Sequence, residues 1–365
     1  MAKGLITNLL CLVAAICLSG ACTQDEPEIK SALIQPRLPF WFIQDGEVCV
    51  AKEDGSDIKP ITQTEGKVDD FCISPFFKHL AFTREFGMVD GIGLYEDGEE
   101  IPQVPIYSIV ITKMPGGEEL AEIRPEGDWL HPVQWTTDER LFYYTSSGYD
   151  ISGFYEYDIT TGNVRSLEYT EASKATRAGI SYDRQFATYT DDVGLGKDLR
   201  YRLHVENRYT GEDKIVTSKP KIFSPCLSPA NDRVAFIEVQ TVDSQSFDVV
   251  WIYSLADDSM TIAYTAPAVA KSNSWMRWSP RGGFIGLFWA PSENPNAYLF
   301  AVEDLSDVQT LRGKNFCWQD DDNLLFERSG NIHVYSLAER KDRLLIENAS
   351  KPTVWYGRPP LSKSR

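Results

Sequence analysis

The side chains able to do chemistry in this chain of 365 residues are four histidines, seven cysteines and 53 carboxylates. General acid or base work needs a group that titrates near neutral pH beside a substrate, and histidine is the side chain whose ordinary range allows it. His204 and His333 occupy one position in two copies of a repeated unit, which sets them apart in space and makes both structural. His79 belongs to a tight turn, so only His131 is placed to approach a central channel. Cys72, Cys226 and Cys317 share one register in three units. Zinc would need such thiols to converge at bonding distance, whereas separated units make them small buried apolar residues. Cys49 reads the same way, with a bridge in an oxidising compartment as the alternative. The carboxylate runs Asp69-Asp70, Asp191-Asp192 and Asp320-Asp321-Asp322 read as solvated turns, with a calcium ion as the alternative. No G-x-S-x-G elbow and no phosphate-cradling glycine loop occurs. The expectation is a chain without a catalytic set, a metal or a cofactor.

The elements that must position these residues are copies of one hairpin. Phe71-Cys-Ile-Ser-Pro-Phe-Phe-Lys-His-Leu-Ala-Phe-Thr83 is an apolar run, a polar turn and a second apolar run, and the pattern returns at 133–145, 179–190, 226–238, 276–289 and 316–328. With Ile73, Trp135, Ile180, Leu227, Trp278 and Trp318 taken as equivalent, the steps are 62, 45, 47, 51 and 40 residues. The runs are short, β-branched and aromatic, and the breaks are Ser, Pro, Asp, Asn and Gly, so they are strands. Two further strand-like runs follow each hairpin, as at 106–112 with 119–123, 249–255 with 260–264, and 332–337 with 343–346. Four strands per unit is the make-up of a propeller blade, strand a at the channel and b, c and d toward the rim.

The two ends complete the ring. Residues 324–356 align without a gap on 40–72, Phe326 on Phe42, Gly330 on Gly46 and Trp355 on Phe71. The N-terminal segment is thus strands b, c and d without a strand a, and Thr353-Val-Trp-Tyr356 is a strand a with nothing after it. The reading is an all-β chain, a single β-propeller of seven four-stranded blades closed by N- and C-terminal strands, with six blades as the alternative. Closure of this kind leaves no open sheet edge along the ring.

The domains follow. Residues 1–21 carry Lys3, an apolar run over 9–18 and small residues before Cys22, a secretory signal too short to span a bilayer. Leu18-Ser-Gly-Ala-Cys22 resembles the bacterial lipobox, which implies cleavage before Cys22 and its acylation, palmitate included. Thr23 after the cysteine implies by the same resemblance sorting to the outer membrane, and Gln24-Asp-Glu-Pro-Glu28 resembles the acidic export tag of Bacteroidota surface lipoproteins. Residues 22–37 are a flexible acidic tether, 38–356 the propeller and 357–365 a disordered tail. After cleavage 35 basic residues stand against 53 acidic ones, a charge of −18. That excludes a basic stripe for nucleic acid, and leaves lipid rather than charge to hold the protein at a membrane.

Glu53-Asp-Gly-Ser-Asp-Ile-Lys-Pro-Ile-Thr62, Cys72-Ile-Ser-Pro75 and Leu80-Ala-Phe82 resemble the TolB-like, WD40-like (PD40) repeat, with Cys226-Leu-Ser-Pro229 and Trp278-Ser-Pro280 as further copies. The resemblance implies a propeller more than it implies a role. It includes scaffolds, peptidase-associated propellers and sugar-active enzymes, among which the fold does not choose. The b-to-c connections at 86–105, 146–153, 191–199, 238–247 and 290–296 are long and share one face. Binding residues concentrate on such loops, so the candidate face is Asp90, Tyr95, Glu96, Trp129, His131, Tyr149, Asp150, Asp191, Asp192, Lys197, Trp275 and Asn294. The expected function is non-catalytic binding of an envelope protein or an extracellular glycan. The alternative is a carbohydrate lyase or hydrolase using His131 and loop carboxylates at the channel mouth.

Overall fold

The computed structural model describes residues 39–354 apart from 91–94, 97–98, 101–102, 115–116, 127–128, 138, 148–149, 169–179, 182–184, 195–197, 268–274 and 290–295. Residues 1–37 and 357–365, read from the sequence as signal, lipidation site at Cys22, tether and tail, therefore lie outside the described residues. The described residues cluster as one compact unit, and among them every regular element is a strand apart from a single 3-10 position.

Seven antiparallel sheets follow one another along the chain. Blade 1 holds β1 (Phe40–Gln44), β2 (Glu47–Ala51) and β3 (Lys59–Pro60). Blade 2 holds β4 (Phe71–Ile73), β5 (His79–Asp90), β8 (Gln103–Lys113) and β9 (Glu119–Ile123), while β6 (Tyr95–Glu96) and β7 (Glu99–Glu100) pair as a separate two-stranded arm. Blade 3 is β10 (Trp129–Trp135), β11 (Arg140–Ser147), β12 (Asp150–Asp158) and β13 (Asn163–Leu167). Blade 4 is β14 (Phe186–Val193), β15 (Arg200–Asn207) and β16 (Asp213–Lys219), its inner strand reduced to a single bridge from Ile180 to Ala187. Blade 5 is β17 (Ile222–Leu227), β18 (Arg233–Val242), β19 (Gln245–Ser254) and β20 (Met260–Pro267). Blade 6 is β21 (Trp275–Trp278), β22 (Phe284–Trp289), β23 (Asn296–Ala301) and β24 (Val308–Arg312). Blade 7 is β25 (Lys314–Trp318), β26 (Asn323–Arg328), β27 (Asn331–Ser336) and β28 (Lys341–Ile346), and β29 (Ala349–Thr353) returns to pair with β1 as the inner strand of blade 1. The chain is a seven-bladed β-propeller closed by strands from both ends.

The closing strand departs from the ungapped alignment. Thr353 pairs with Trp41, the place held by Cys317 opposite Leu325 and by Cys72 opposite Ala81, so the inner strand arrives three residues earlier than Thr353-Val-Trp-Tyr356. The reason is the connection that precedes it. Ten residues, 61–70, join β3 to β4, whereas only Glu347 and Asn348 join β28 to β29. Asn348 takes φ of 51°, a left-handed turn that asparagine tolerates, and its N–H donates to Asn331 Oδ1 at 2.9 Å. The chain reverses at once and the register slips. Trp355 and Tyr356 fall outside the described residues.

Among the described residues, apolar side chains of neighbouring sheets pack together between the blades. Trp135, Trp278 and Trp318, equivalent in the repeat, are each fully buried on an inner strand. Each indole N–H donates at 3.2 Å to a carbonyl on the inner strand of the preceding blade, respectively Cys72, Cys226 and Arg277. The repeated tryptophan thus both fills the inter-blade space and supplies a buried donor with its acceptor. Cys72 and Cys226 are buried free thiols within these cores, and burial pushes the Cys226 thiol up to about 12, so it stays protonated. Cys49 is likewise free.

Candidate functional site

The b-to-c connections are extended hairpins more than loops. β18 and β19 stay paired out to Val242 and Gln245, leaving the two-residue turn Asp243-Ser244, whose φ of 49° and 65° match a type I′ hairpin. The 238–247 stretch read as a loop is therefore mostly strand. The same holds for β5 and β8, which pair as far as Asp90 and Gln103. Alternating polar and apolar residues let both ladders run beyond the blade body, a pattern that polarity alone disguises as loop.

This placement sorts the predicted residues. Asp90 is exposed at the end of β5, and Tyr95 and Glu96 form β6 of the two-stranded arm. Asp150 opens β12 opposite Ser147, and Asp192 is exposed on β14. Trp129 and His131 lie on the inner strand β10, and Trp275 opens the inner strand β21, half-buried against Phe288 at 4.3 Å between ring centres. Tyr149, Lys197 and Asn294 lie outside the described residues. Asp191 is not a loop residue: it sits on β14, takes the Arg202 guanidinium in a two-point contact and meets His204 Nε2 at 3.0 Å. The guanidinium beside it holds its carboxyl below the ordinary carboxylate range.

Around the channel mouth of blades 1 to 3 the inner strands and the 61–70 connection bring together residues that the sequence left apart. Glu47 organises that connection, accepting from Thr62 Oγ1 at 2.5 Å and from the backbone N–H groups of Thr64 and Gly66 at 2.6 and 3.0 Å. Asp69 and Asp70 follow, their N–H groups bonded to Thr83 Oγ1 at 3.0 and 2.7 Å. Lys351, on the closing strand, donates to the Asp69 carbonyl at 2.6 Å and lies 3.6 Å from both carboxylates. Lys351 was missed because its place depends on the slipped register of β29.

His131 is close enough to feel these charges. Its Nε2 lies 2.9 Å from Ser146 Oγ and its ring stacks on Tyr144 at 4.6 Å. Burial lowers its basicity below the ordinary histidine value, Asp70 and Asp69 oppose that, and Lys351 adds to it. The arrangement holds a neutral imidazole in a fixed orientation.

The run Asp320-Asp321-Asp322, read as a solvated turn with a calcium ion as the alternative, is served by protein donors. Asp320 accepts from the Asp322 N–H at 2.7 Å and from Asn323 Nδ2, and Asp321 accepts from the Arg281 N–H at 2.8 Å. Among the described residues no three His, Cys, Asp or Glu side chains converge on a point that would hold a metal ion.

No protein-family model matches the sequence, and no curated protein matches it. Among solved structures the chain is similar to TolB from Acinetobacter baumannii at 12% identity over 88% of this chain and 67% of that one, TM-score 0.44. It is similar to an oligogalacturonate lyase in complex with manganese at 13% identity over 85% of both chains, TM-score 0.48. It is also similar to a prolyl endopeptidase at 12% identity, covering 94% of this chain but 54% of that one, TM-score 0.49. The class of the protein, a seven-bladed β-propeller, is defined by its seven sheets.

Proposed function

We propose that this propeller is a non-catalytic binding module, held at the cell envelope by lipid on Cys22, that captures a protein through the face carrying its b-to-c hairpins. The observation that carries the reading is the composition of the hairpin ends. Phe86 and Met88 of blade 2, Ile151 of blade 3 and Val242 of blade 5 are 48%, 51%, 55% and 54% exposed, all toward this one face. Large apolar side chains held exposed at the ends of hairpins, with polar residues around them, offer anchors for a partner surface. Around them Asp45, Glu65, Asp90, Glu126, Asp192 and Asp243 are exposed, and none is ion-paired among the described residues. Apolar anchors ringed by unpaired carboxylates suit a partner with an apolar patch and a basic rim.

The test is site-specific photo-crosslinking of the full-length chain in envelopes, from position 88 and, as control, from position 76 on the opposite face, where Phe76 is 41% exposed. A single protein adduct from 88, absent from 76 and lost on F86D, supports the reading. No adduct from 88, together with turnover of an oligosaccharide that H131A abolishes, would replace it with catalysis at the channel mouth.

A further inference from the structure

The inner strands of a propeller line its central channel, and here their charge runs against that of the chain. The sequence holds 53 carboxylates against 36 lysines and arginines. Yet the inner strands β4, β10, β17, β21, β25 and β29 carry Arg277, Lys314 and Lys351 and no carboxylate. Those three cations stand on the consecutive blades 6, 7 and 1, which pack against one another.

Three of these strands bulge at one level. In β17, β25 and β29 two residues oppose one on the neighbouring strand: Ser224 and Pro225 facing Phe236, Asn315 and Phe316 facing Phe326, Lys351 and Pro352 facing Phe42. The first residue of each bulge takes a left-handed φ, 48° at Ser224, 52° at Asn315 and 52° at Lys351. A bulge re-aims the side chain it carries, and all three re-aimed side chains are hydrogen-bond donors. Strained backbone repeated at one level of a channel points to a use for what it presents. Glu327, buried on β26, accepts from Lys314 Nζ and Asn315 Nδ2, each at 2.8 Å, and from the Lys351 N–H at 3.4 Å, so one carboxylate sets donors of β25 and β29 side by side. The Lys314 side chain is still 57% exposed. Lys351 Nζ donates to the Asp69 carbonyl and stands 3.6 Å from the Asp69 and Asp70 carboxylates, beyond hydrogen-bond reach, and an ammonium has three donors to give. Burial raises the Cys226 thiol and the Arg277 charge acts against it, which sets that guanidinium toward the inner strand of blade 5.

We propose that the channel mouth on the side of blades 6, 7 and 1 binds a small oxyanion, a ligand bearing carboxylate or phosphate, held by Arg277, Lys314 and Lys351, with Asn315 and Ser224 as neutral donors. Cations gathered on low-dielectric walls focus their field into the channel, so a chain that is acidic overall still draws an anion to this point. The site is separate from the hairpin ends and does not rest on their role.

Isothermal titration of the full-length chain in non-ionic detergent, with citrate and separately with inorganic phosphate, tests this. At least one of the two is expected to bind at low salt and to weaken by about tenfold when salt rises from about 0.02 M to about 0.2 M. The tighter of the two names the group that the ligand bears. K314Q and K351Q are each expected to weaken binding by about fivefold, the effect of one charge at about 4 Å in water. E327Q, which keeps the shape and an acceptor but removes the opposing charge, is expected to tighten it by about threefold. F86D is expected to leave it unchanged, which separates this site from capture of a protein at the hairpin ends. Binding of neither anion at low salt, or an affinity that K314Q and K351Q leave unchanged, would overturn the proposal. If a lysine variant does not fold, E327Q and the native salt dependence decide, and an affinity that E327Q fails to raise overturns it.

Discussion

Gly46 and Gly330 align in the repeat and adopt the same backbone, yet replacing them by alanine is expected to give very different costs. Each is the second residue of a two-residue hairpin turn, with φ of 69° after Asp45 at 51°, and 73° after Ser329 at 54°. Alanine at either position bears the strain of left-handed backbone, about 1 kcal/mol. At Gly330 nothing lies within 4 Å of the added Cβ, so that is the whole effect. At Gly46 the Cβ would stand 2.0 Å from the Gly66 carbonyl oxygen, 2.2 Å from its carbon and 2.7 Å from its Cα. These are backbone atoms and must move by more than an ångström. The connection they belong to is tied by Gly66 N–H to Glu47 at 3.0 Å and Val68 N–H to the Gly46 carbonyl at 2.8 Å. Crowding of this kind costs about 1–3 kcal/mol, and each hydrogen bond lost adds about 1 kcal/mol. G46A should therefore destabilise by about 3–5 kcal/mol and G330A by about 1 kcal/mol, read from urea midpoints at unchanged slope. Costs that agree within about 0.5 kcal/mol would refute the close packing of the 61–70 connection on the first hairpin. A further readout is Lys351, whose partners Asp69 and Asp70 end that connection.

W278F removes the donor to the Cys226 carbonyl and part of a fully buried side chain, and should cost about 2–3 kcal/mol, as should W135F and W318F; a cost under 1 kcal/mol in denaturant titration would count against the shared role. Glu122, hydrogen-bonded by Arg84 at 2.8 Å, is held down to about 2. A depressed carboxyl binds fewer protons folded than unfolded, so its stabilisation is present above about 4.5 and is lost as pH falls from there toward about 2. R84M should flatten that part of the stability profile, measured by thermal unfolding between pH 5 and pH 2. K351A should raise the titration midpoint of His131 and D70N should lower it, each followed by the imidazole signals in NMR; a K351A shift downward would show that the lysine does not face the histidine.

Repetition made the propeller legible. The spacing of Ile73, Trp135, Leu227, Trp278 and Trp318 places inner strands, and the match of Phe42 to Phe326 shows that the ends complete one blade, because strand periodicity and turn residues are local properties of the chain. The candidate site was legible only as a face. Its exposed tips follow from hairpin length, whereas Asp191 was assigned to solvent because no local pattern shows that Arg202 and His204 lie across the ladder from it.

What the sequence determined alone is the strand content, the blade count, the acidic charge and the motif at Cys22, each carried by neighbouring residues or by a repeat. What the tertiary structure decided is where the ring closes, which of two equivalent glycines is crowded, that Lys351 meets Asp69 and Asp70, and that Asp191 meets Arg202 and His204. Those features depend on which blade stands beside which, and on a connection of two residues where another blade has ten. Contacts between residues 282 positions apart, such as Lys351 with Asp69, have no signature in a local pattern, because side-chain packing and burial arise only when the ring is closed.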